Sequence, residues 1–252
     1  MNQKPTKDQL ASGYLTHELK TPLASIRFAL ELFLDKNAAG LQAEDRRLLD
    51  IARRNVSRLS LLINDIMELS KIQTGRLKMQ PEPADPGQLA RETAEDMDSW
   101  VQRAGLKLTV NAPENCPLVF VDRRRTVQVL MNLFSNAIKF TPSGGHIDVT
   151  LKADDPGHAG FVVLSVKDTG CGIAPEDIRK VFGYFVQVGP PDKRGEGSGL
   201  GLSLARSMTE IQGGIMWVDS RPGEGSTFSF TMPVYVPGAE TPALPAPCFG
   251  KM

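Results

Sequence analysis

The strongest constraint on this fold lies near the amino end, where apolar side chains return every three or four residues along two successive stretches. Leu19, Leu23, Ile26, Leu30 and Phe33 step by four, three, four and three, which is a heptad seam. Leu49, Ala52, Val56, Leu59, Ile63 and Ile66 repeat the device. Between them "DKNAAGLQAED" (35–45) supplies Asn and Gly as a stop, and acidic residues suited to the first turn of the next helix. The pattern predicts a helical hairpin. One hairpin with a narrow seam cannot bury both faces, so pairing with a second copy as a dimeric four-helix bundle is the simplest remedy.

The seam ends near Ile72, and "TGRLKMQPEPADP" (74–86) holds three prolines and reads as a hinge. The expected organisation is a hairpin over 1–73, a hinge over 74–84, a second domain over 85–236 and a flexible tail over 237–252, rich in proline and small residues. In the second domain the pattern predicts helices near 86–104, 122–139, 175–182 and 199–212. Period-two alternation marks strands at "HIDVTLK" (146–152) and "TFSFTM" (227–232), and apolar runs mark "LVFV" (118–121) and "FVVLSV" (161–166). Short turns join 146–152 to 161–167 and 215–219 to 227–232. Antiparallel pairs beside separate helices predict an α+β chain whose second domain is an α/β sandwich, not a Rossmann fold.

Charge and cysteine content narrow the function. Lys plus Arg and Asp plus Glu both number 29, so nothing in the net charge calls for nucleic acid or an anionic membrane. The three cysteines, Cys116, Cys171 and Cys248, lack metal-ligand spacing and read as reduced thiols. The most apolar run, "LSLLINDIMEL" (59–69), is too short and too polar to span a bilayer, so no membrane segment is expected in this chain. Reduced thiols and the lack of a membrane segment in this chain make a cytoplasmic location the expectation.

On the first heptad stretch, "THELKTPLAS" (16–25) sets His17 two residues before a seam position, facing solvent, with Thr21 one turn further along that face. Glu18 can accept a hydrogen bond from one ring nitrogen and leave the other as a lone-pair nucleophile. Pro22 removes the bond its N–H would make to the Glu18 carbonyl, at a cost of about 3 kcal/mol or more in an ordinary helix interior. The expected bend therefore falls one turn from His17. A zinc protease site is rejected, because Thr21 occupies the place of the second histidine in H-E-x-x-H.

Four further clusters follow in order. In "NLFSNAIKFT" (132–141), Asn132, Asn136 and Lys139 share one helical face. An asparagine carbonyl is a hard oxygen ligand for Mg²⁺, and a lysine one turn on can meet phosphate charge. In "DTGCGI" (168–173), Asp168 ends a strand where a carboxylate can accept the amino hydrogens of adenine, and Gly170 and Gly172 permit a tight turn beside the ring. "VFGYFVQV" (181–188) brings Phe182 and Phe185 as core or lid-anchoring aromatics. "GEGSGLGLSLA" (195–205) runs Gly197, Gly199 and Gly201 into a helix whose exposed N–H groups can receive phosphates. It is neither a G-x-G-x-x-G fingerprint nor a Walker loop.

Together and in this order the five clusters resemble the sensor histidine kinases of two-component systems, over roughly residues 8–235. "HELKTPL" looks like the H box of that family, "NLFSNAIKFT" its N box, "DTGCGI" its G1 box, "VFGYFVQ" its F box and "GEGSGLGLSLA" its G2 box. The resemblance implies a dimerisation and phosphotransfer hairpin followed by an ATP-binding domain of the Bergerat type. It implies that His17 is the phosphoacceptor, that Glu18 orients it, and that Thr21 positions water when a phosphorylated partner is dephosphorylated. Asn136 would bind Mg²⁺, Asp168 would read adenine, and Asn132 and Lys139 would contact the phosphates. Gly170, Gly172, Gly197, Gly199 and Gly201 would shape the pocket and lid. ATP and Mg²⁺ are the implied cofactors, with a homodimer and a response regulator receiver domain as partners.

The match has departures. Many members carry an arginine two residues after the second phenylalanine of the F box, where this chain has Gln187, and Gly183 and Tyr184 replace a common Glu-Pro. ATP-hydrolysing relatives such as gyrase use a glutamate four residues before the magnesium-binding asparagine. Here that position is Asn132, so the hydrolytic base is absent.

Overall fold

The computed structural model describes residues 7–37, 40–153, 155–190 and 197–238, with side chains from Leu19 onward. The chain divides between Thr74 and Gly75 into two compact units.

The first unit is the helical hairpin, α1 (Lys7–Asn37) and α2 (Ala43–Gln73). Helix α1 continues through Pro22 without interruption. The turn closes where Gly40 N and Leu41 N both donate to the Asn37 carbonyl, at 3.0 and 3.2 Å. Glu44 and Asp45 then open α2, complementing the positive end of its dipole. Thr74 Oγ1 caps the far end on the Ser70 carbonyl at 2.7 Å. Of the first seam, Leu23 and Leu30 are half-buried, whereas Ile26 and Phe33 remain 48% and 46% exposed. On α2, Val56 is buried but Leu59 and Ile66 are exposed. One hairpin thus covers half of its own seam.

The second unit runs β1 (Glu82–Ala84), α3 (Pro86–Arg103), β2 (Lys107–Asn111), β3 (Val119–Val121), α4 (Arg123–Phe140), β4 (His146–Lys152), β5 (Phe161–Asp168), α5 (Gly201–Ile211), β6 (Met216–Arg221) and β7 (Gly225–Pro233). Five strands form one sheet in the order β2-β4-β5-β7-β6, antiparallel except for the parallel pair β2–β4. Alternate residues Ile147, Val149 and Leu151 of β4, Val162, Leu164 and Val166 of β5, and Phe228, Phe230 and Met232 of β7 are buried. The three helices pack on the sheet and contribute Leu89, Leu130, Leu133, Phe134, Leu204 and Met208 to the same core. On the opposite face residues are smaller and more polar, and Ser165 and Ser229 meet hydroxyl to hydroxyl at 2.8 Å. There the His158 ring stacks on Trp217, with centroids 4.9 Å apart.

Capping chemistry sets where the helices begin. Asp85 accepts from Gly87 N and Gln88 N at 2.8 and 3.1 Å, with Pro86 in the first turn of α3. Asp122 caps α4 by accepting from Arg125 N at 3.1 Å. Its second oxygen takes Gln80 N at 2.9 Å, and its own N–H donates to Gln212 Oε1 at 2.7 Å. The buried Asp122 thus fastens the segment before β1 to α4 through its carboxylate, and α4 to the end of α5 through its backbone N–H.

Two expectations need correction. The stretch read as a hinge over 74–84 carries β1, paired antiparallel with β3. The helix expected at 175–182 is a chain of turns, in which Asp177 N, Lys180 N and Gly183 N donate three residues back to Ala174, Asp177 and Lys180 carbonyls. So short a segment gains too few intrahelical bonds to repay nucleation, and the turns satisfy its backbone instead. Residues 239–252, most of the expected tail, lie outside the described residues.

Candidate functional site

Asp168 is the last residue of β5 and is only 5% exposed. Its Oδ1 accepts from Gly170 N at 2.8 Å and from Ser226 N, on the neighbouring β7, at 3.3 Å. No described residue donates to Oδ2. Burial pushes the carboxyl above its usual range, while the two backbone donors, Gly170 and then Ser226, pull it back. A buried acceptor held by one oxygen and open at the other suits a ligand that brings an N–H donor.

The turn after Asp168 is locked on both sides. Cys171 N donates to the Phe140 carbonyl at 3.4 Å, and the Cys171 carbonyl accepts from Gly223 N at 2.8 Å. Ile173 N donates to Ser220 Oγ at 2.8 Å, and that hydroxyl donates to the Gly225 carbonyl at 2.8 Å. Gly172 has φ +69° and lies so close to the Arg221 carbonyl that a Cβ would overlap it. Gly225 has φ +91° and faces the Asp168 carbonyl in the same way. At Gly170 a Cβ would lie 2.6 Å from the Phe140 carbonyl oxygen. The end of α4, the 168–173 turn and the β6–β7 hairpin are therefore in backbone contact, and glycine is required for that contact.

Helix α4 supplies the polar wall. Val129, Leu133 and Ala137 are buried, and the half-buried Asn132 and Asn136 lie on another face. Neither amide makes a hydrogen bond among the described residues. Asn132 Oδ1 would stand 3.2 Å from a Cβ at Gly201, so it abuts the first turn of α5. Lys139 Nζ sits over the Phe140 ring, 4.8 Å from its centroid, and 4.0 Å from the place a Cβ would take at Gly197. Helix α5 opens at Leu200, whose own side chain provides no cap, and among the described residues no side chain accepts from the N–H groups of Gly201, Leu202 and Ser203. Open donors at a helix start, a lysine and two unbonded amides form a surface suited to polyphosphate.

No cluster of three or more His, Cys, Asp or Glu that could hold a metal occurs among the described residues. The donor set nonetheless fits Mg²⁺ carried in with a nucleotide. That ion keeps several waters and needs only one or two protein oxygens beside the phosphates, a role open to the Asn136 carbonyl.

The nucleotide candidates thus converge within the second unit, while the phosphoacceptor candidates belong to the first. His17 and Glu18 lie on α1, but their side chains fall outside the described residues. Thr21 is on α1 and exposed.

A "His Kinase A (phospho-acceptor) domain" model matches residues 8–75. A "Histidine kinase-, DNA gyrase B-, and HSP90-like ATPase" model matches 121–236. The chain belongs to the sensor histidine kinases. The adaptive-response sensory kinase SasA of Thermosynechococcus vestitus is 37% identical over 234 residues, covering 91% of this chain and 60% of that protein. The histidine protein kinase DivJ of Caulobacter vibrioides is 34% identical over 233 residues, covering 92% of this chain and 38% of that protein. A crystal structure of full-length ShkA in complex with AMPPNP superposes with a TM-score of 0.74 at 30% identity, over 92% of this chain and 47% of that one. The chain spans less than two thirds of the length of either curated relative. No described helix is long and apolar enough to cross a membrane.

Within this sensor histidine kinase, the β6–β7 hairpin forms where the sequence pattern placed it, but sequence reasoning missed its part in the site. Ser220, Gly225 and Ser226 bind the turn that carries Asp168, yet "RPGEG" reads only as a hairpin-length loop. The signal available was its glycine spacing, Gly223 and Gly225, two positions in left-handed backbone. The F-box aromatics also diverge. Phe182 packs edge-on against Phe228 at 6.3 Å under Arg206, whereas Phe185 is 61% exposed at φ +60°. It is the second unit's exposed aromatic with a strained backbone, not a core residue.

Proposed function

We propose that the chain is an ATP-dependent protein histidine kinase that phosphorylates its own His17 and passes the phosphoryl group to an aspartate of a response regulator receiver domain. The observation that carries the reading is Asp168, a buried carboxylate with one oxygen fixed by backbone donors and the other open to an adenine amino group. The Asn132–Asn136–Lys139 face and the uncapped start of α5 accommodate the phosphates.

The chemistry asked of the protein is mainly positioning. His17 offers an imidazole lone pair to the γ-phosphorus; a P–N bond forms, the bond to the β–γ bridging oxygen breaks, and ADP leaves with that electron pair. Glu18 accepts a hydrogen bond from the other ring nitrogen, which fixes the tautomer and stabilises the charge that develops. Mg²⁺, held by Asn136 and phosphate oxygens, would screen charge on the transferring group. Gly170, Gly172, Gly197, Gly199 and Gly201 shape the pocket and lid by letting these segments pack closely against one another and against α4. Thr21 serves the reverse direction, orienting water against the phosphorylated regulator.

The working form is a homodimer, supported by the seam residues that a single hairpin leaves uncovered, Leu19, Ile26, Phe33, Leu59 and Ile66. The reading places the chain on the cytoplasmic side, where ATP and the regulator are found.

The test is γ-labelled ATP with Mg²⁺. The purified chain should acquire acid-labile, base-stable phosphate, and His17→Ala should acquire none. Label persisting on serine or threonine in that variant would overturn the assignment. Thr21→Ala should still label itself while dephosphorylating its regulator slowly.

A further inference from the structure

Two chain segments meet beside Lys139 through a contact that the reading above does not use. Gln187 Nε2 donates to the Gly197 carbonyl at 3.0 Å. A second junction lies two residues further along each segment's approach: a Cβ at Gly199 would fall 2.8 and 2.9 Å from the carbonyl carbon and Cα of Phe185. On its other side, the first segment rests on α4, since a Cβ at Gly189 would stand 2.9 Å from Cε1 of Phe140. The Gly197–Ser198 peptide is thus held against a support that is itself anchored to the helix bearing Asn132, Asn136 and Lys139.

A peptide group is planar and trans, so its carbonyl and the following N–H point in opposite directions. With the Gly197 carbonyl turned onto Gln187, the Ser198 N–H faces away from Gln187. Gly197 adopts φ +135°, a conformation open to glycine, so without an external hold this peptide has an unusually broad choice of orientations. The next turn is also fixed, because Leu200 N donates to Ser198 Oγ at 3.1 Å and leads into the uncapped start of α5. A carbonyl left facing the phosphate surface would repel it, whereas an N–H there attracts it.

We propose that Gln187 is a positioning residue for phosphate binding: its side-chain amide ties down the Gly197 carbonyl and so presents the Ser198 N–H, rather than a carbonyl, to the polyphosphate of the bound nucleotide. This rests on the nucleotide site proposed above. Gln187 acts through the backbone of the glycine loop and itself needs no contact with the nucleotide. It therefore does by orientation what a cation at this position would do by charge.

The experiment compares the wild-type chain, Gln187→Met and Gln187→Glu for binding of ADP, an ATP analogue with a non-hydrolysable β–γ link, and adenosine, with Mg²⁺ throughout. Met keeps the length and loses the donor, while Glu turns an acceptor toward the carbonyl. Polyphosphate affinity should fall about five- to tenfold in Gln187→Met, the scale of one hydrogen bond. It should fall further in Gln187→Glu, and adenosine affinity should stay within twofold in both. Amide hydrogen exchange across 197–200 should quicken in the nucleotide-free variants while the rest of α5 keeps its protection. Equal loss for adenosine and ADP would overturn the proposal, as would unchanged binding of all three. A wild type that binds no ligand would instead remove the nucleotide site itself.

Discussion

Ser226, 58 residues beyond Asp168 in the chain, aims its backbone N–H at the Asp168 Oδ1 at 3.3 Å, and the two residues are paired partners across β5 and β7. The Asp168 carboxylate, proposed to read adenine, is therefore held by the sheet register and not only by its own loop. A change in β7 should disturb it as surely as a change in the 168–173 turn.

Replacing Asp168 by Asn should lower nucleotide affinity by roughly 10- to 150-fold, the range of a hydrogen bond to a charged group, measured by calorimetry. The same variant should melt higher than wild type when both are free of nucleotide. Burial raises the Asp168 pKa in the folded state, so the stability advantage of the protonated form is present in strong acid and lost as pH rises through the folded value. The gap favouring Asn should open across that window and level off above it. A gap of constant size at all pH values would contradict the assignment.

Two glycines separate strain from collision. Gly144 has φ +87° with open space where a Cβ would go, and Gly225 has φ +91° with the Asp168 carbonyl in that place. Gly144→Ala should cost about 1–2 kcal/mol, the penalty of left-handed backbone alone. Gly225→Ala should cost more in denaturant melts and should also weaken nucleotide binding, because Asp168 must move. Equal costs would mean that the β6–β7 hairpin is not bearing on the site.

Asn136→Ala should abolish the dependence of nucleotide affinity on Mg²⁺. Adding a chelator should weaken binding to wild type and leave the variant almost unaffected, so titrations with and without chelator test the ligand role. A variant that keeps the full magnesium response would return Asn136 to an ordinary helix surface.

Ile26 and Phe33, about half exposed on the single hairpin, are expected to be covered in the proposed homodimer. Each fully covered side chain is worth about 1.5–3 kcal/mol, so a charged residue at either position should weaken association by at least tenfold. Sedimentation at micromolar concentration should show Ile26→Glu as a monomer beside a dimeric wild type, with the second unit still binding nucleotide. A dimeric Ile26→Glu would place the interface elsewhere.

The hairpin was readable because heptad spacing is a local signal, and α1 and α2 contain both seams and run past them at each end. Strands β4 and β5 were readable for the same reason, since "HIDVTLK" alternates visibly. The parallel pairing of β2 with β4 left no such mark, because it joins residues 39 apart across β3 and α4. Strand β1 was hidden in a proline-rich stretch, and its pairing with β3 is equally long-range. At 175–182 "PEDIRKVF" carries a helix-like opening, but most backbone bonds made there reach three residues back, with one four-residue bond from Val181 N to the Asp177 carbonyl. Asp168 and the glycines around it stood out as residue types with chemical meaning. Ser226 did not, because it acts through its backbone N–H, which every residue but proline possesses.

Helix α5 starts at Leu200 without a side-chain cap, so the chain itself supplies no group that finishes the first turn of this helix. A polyphosphate would complete that element, and heat resistance would then report ligand occupancy. Thermal-shift screening should accordingly rank compounds by how well they reach this helix start, and a purified stock should keep longest when stored with ADP.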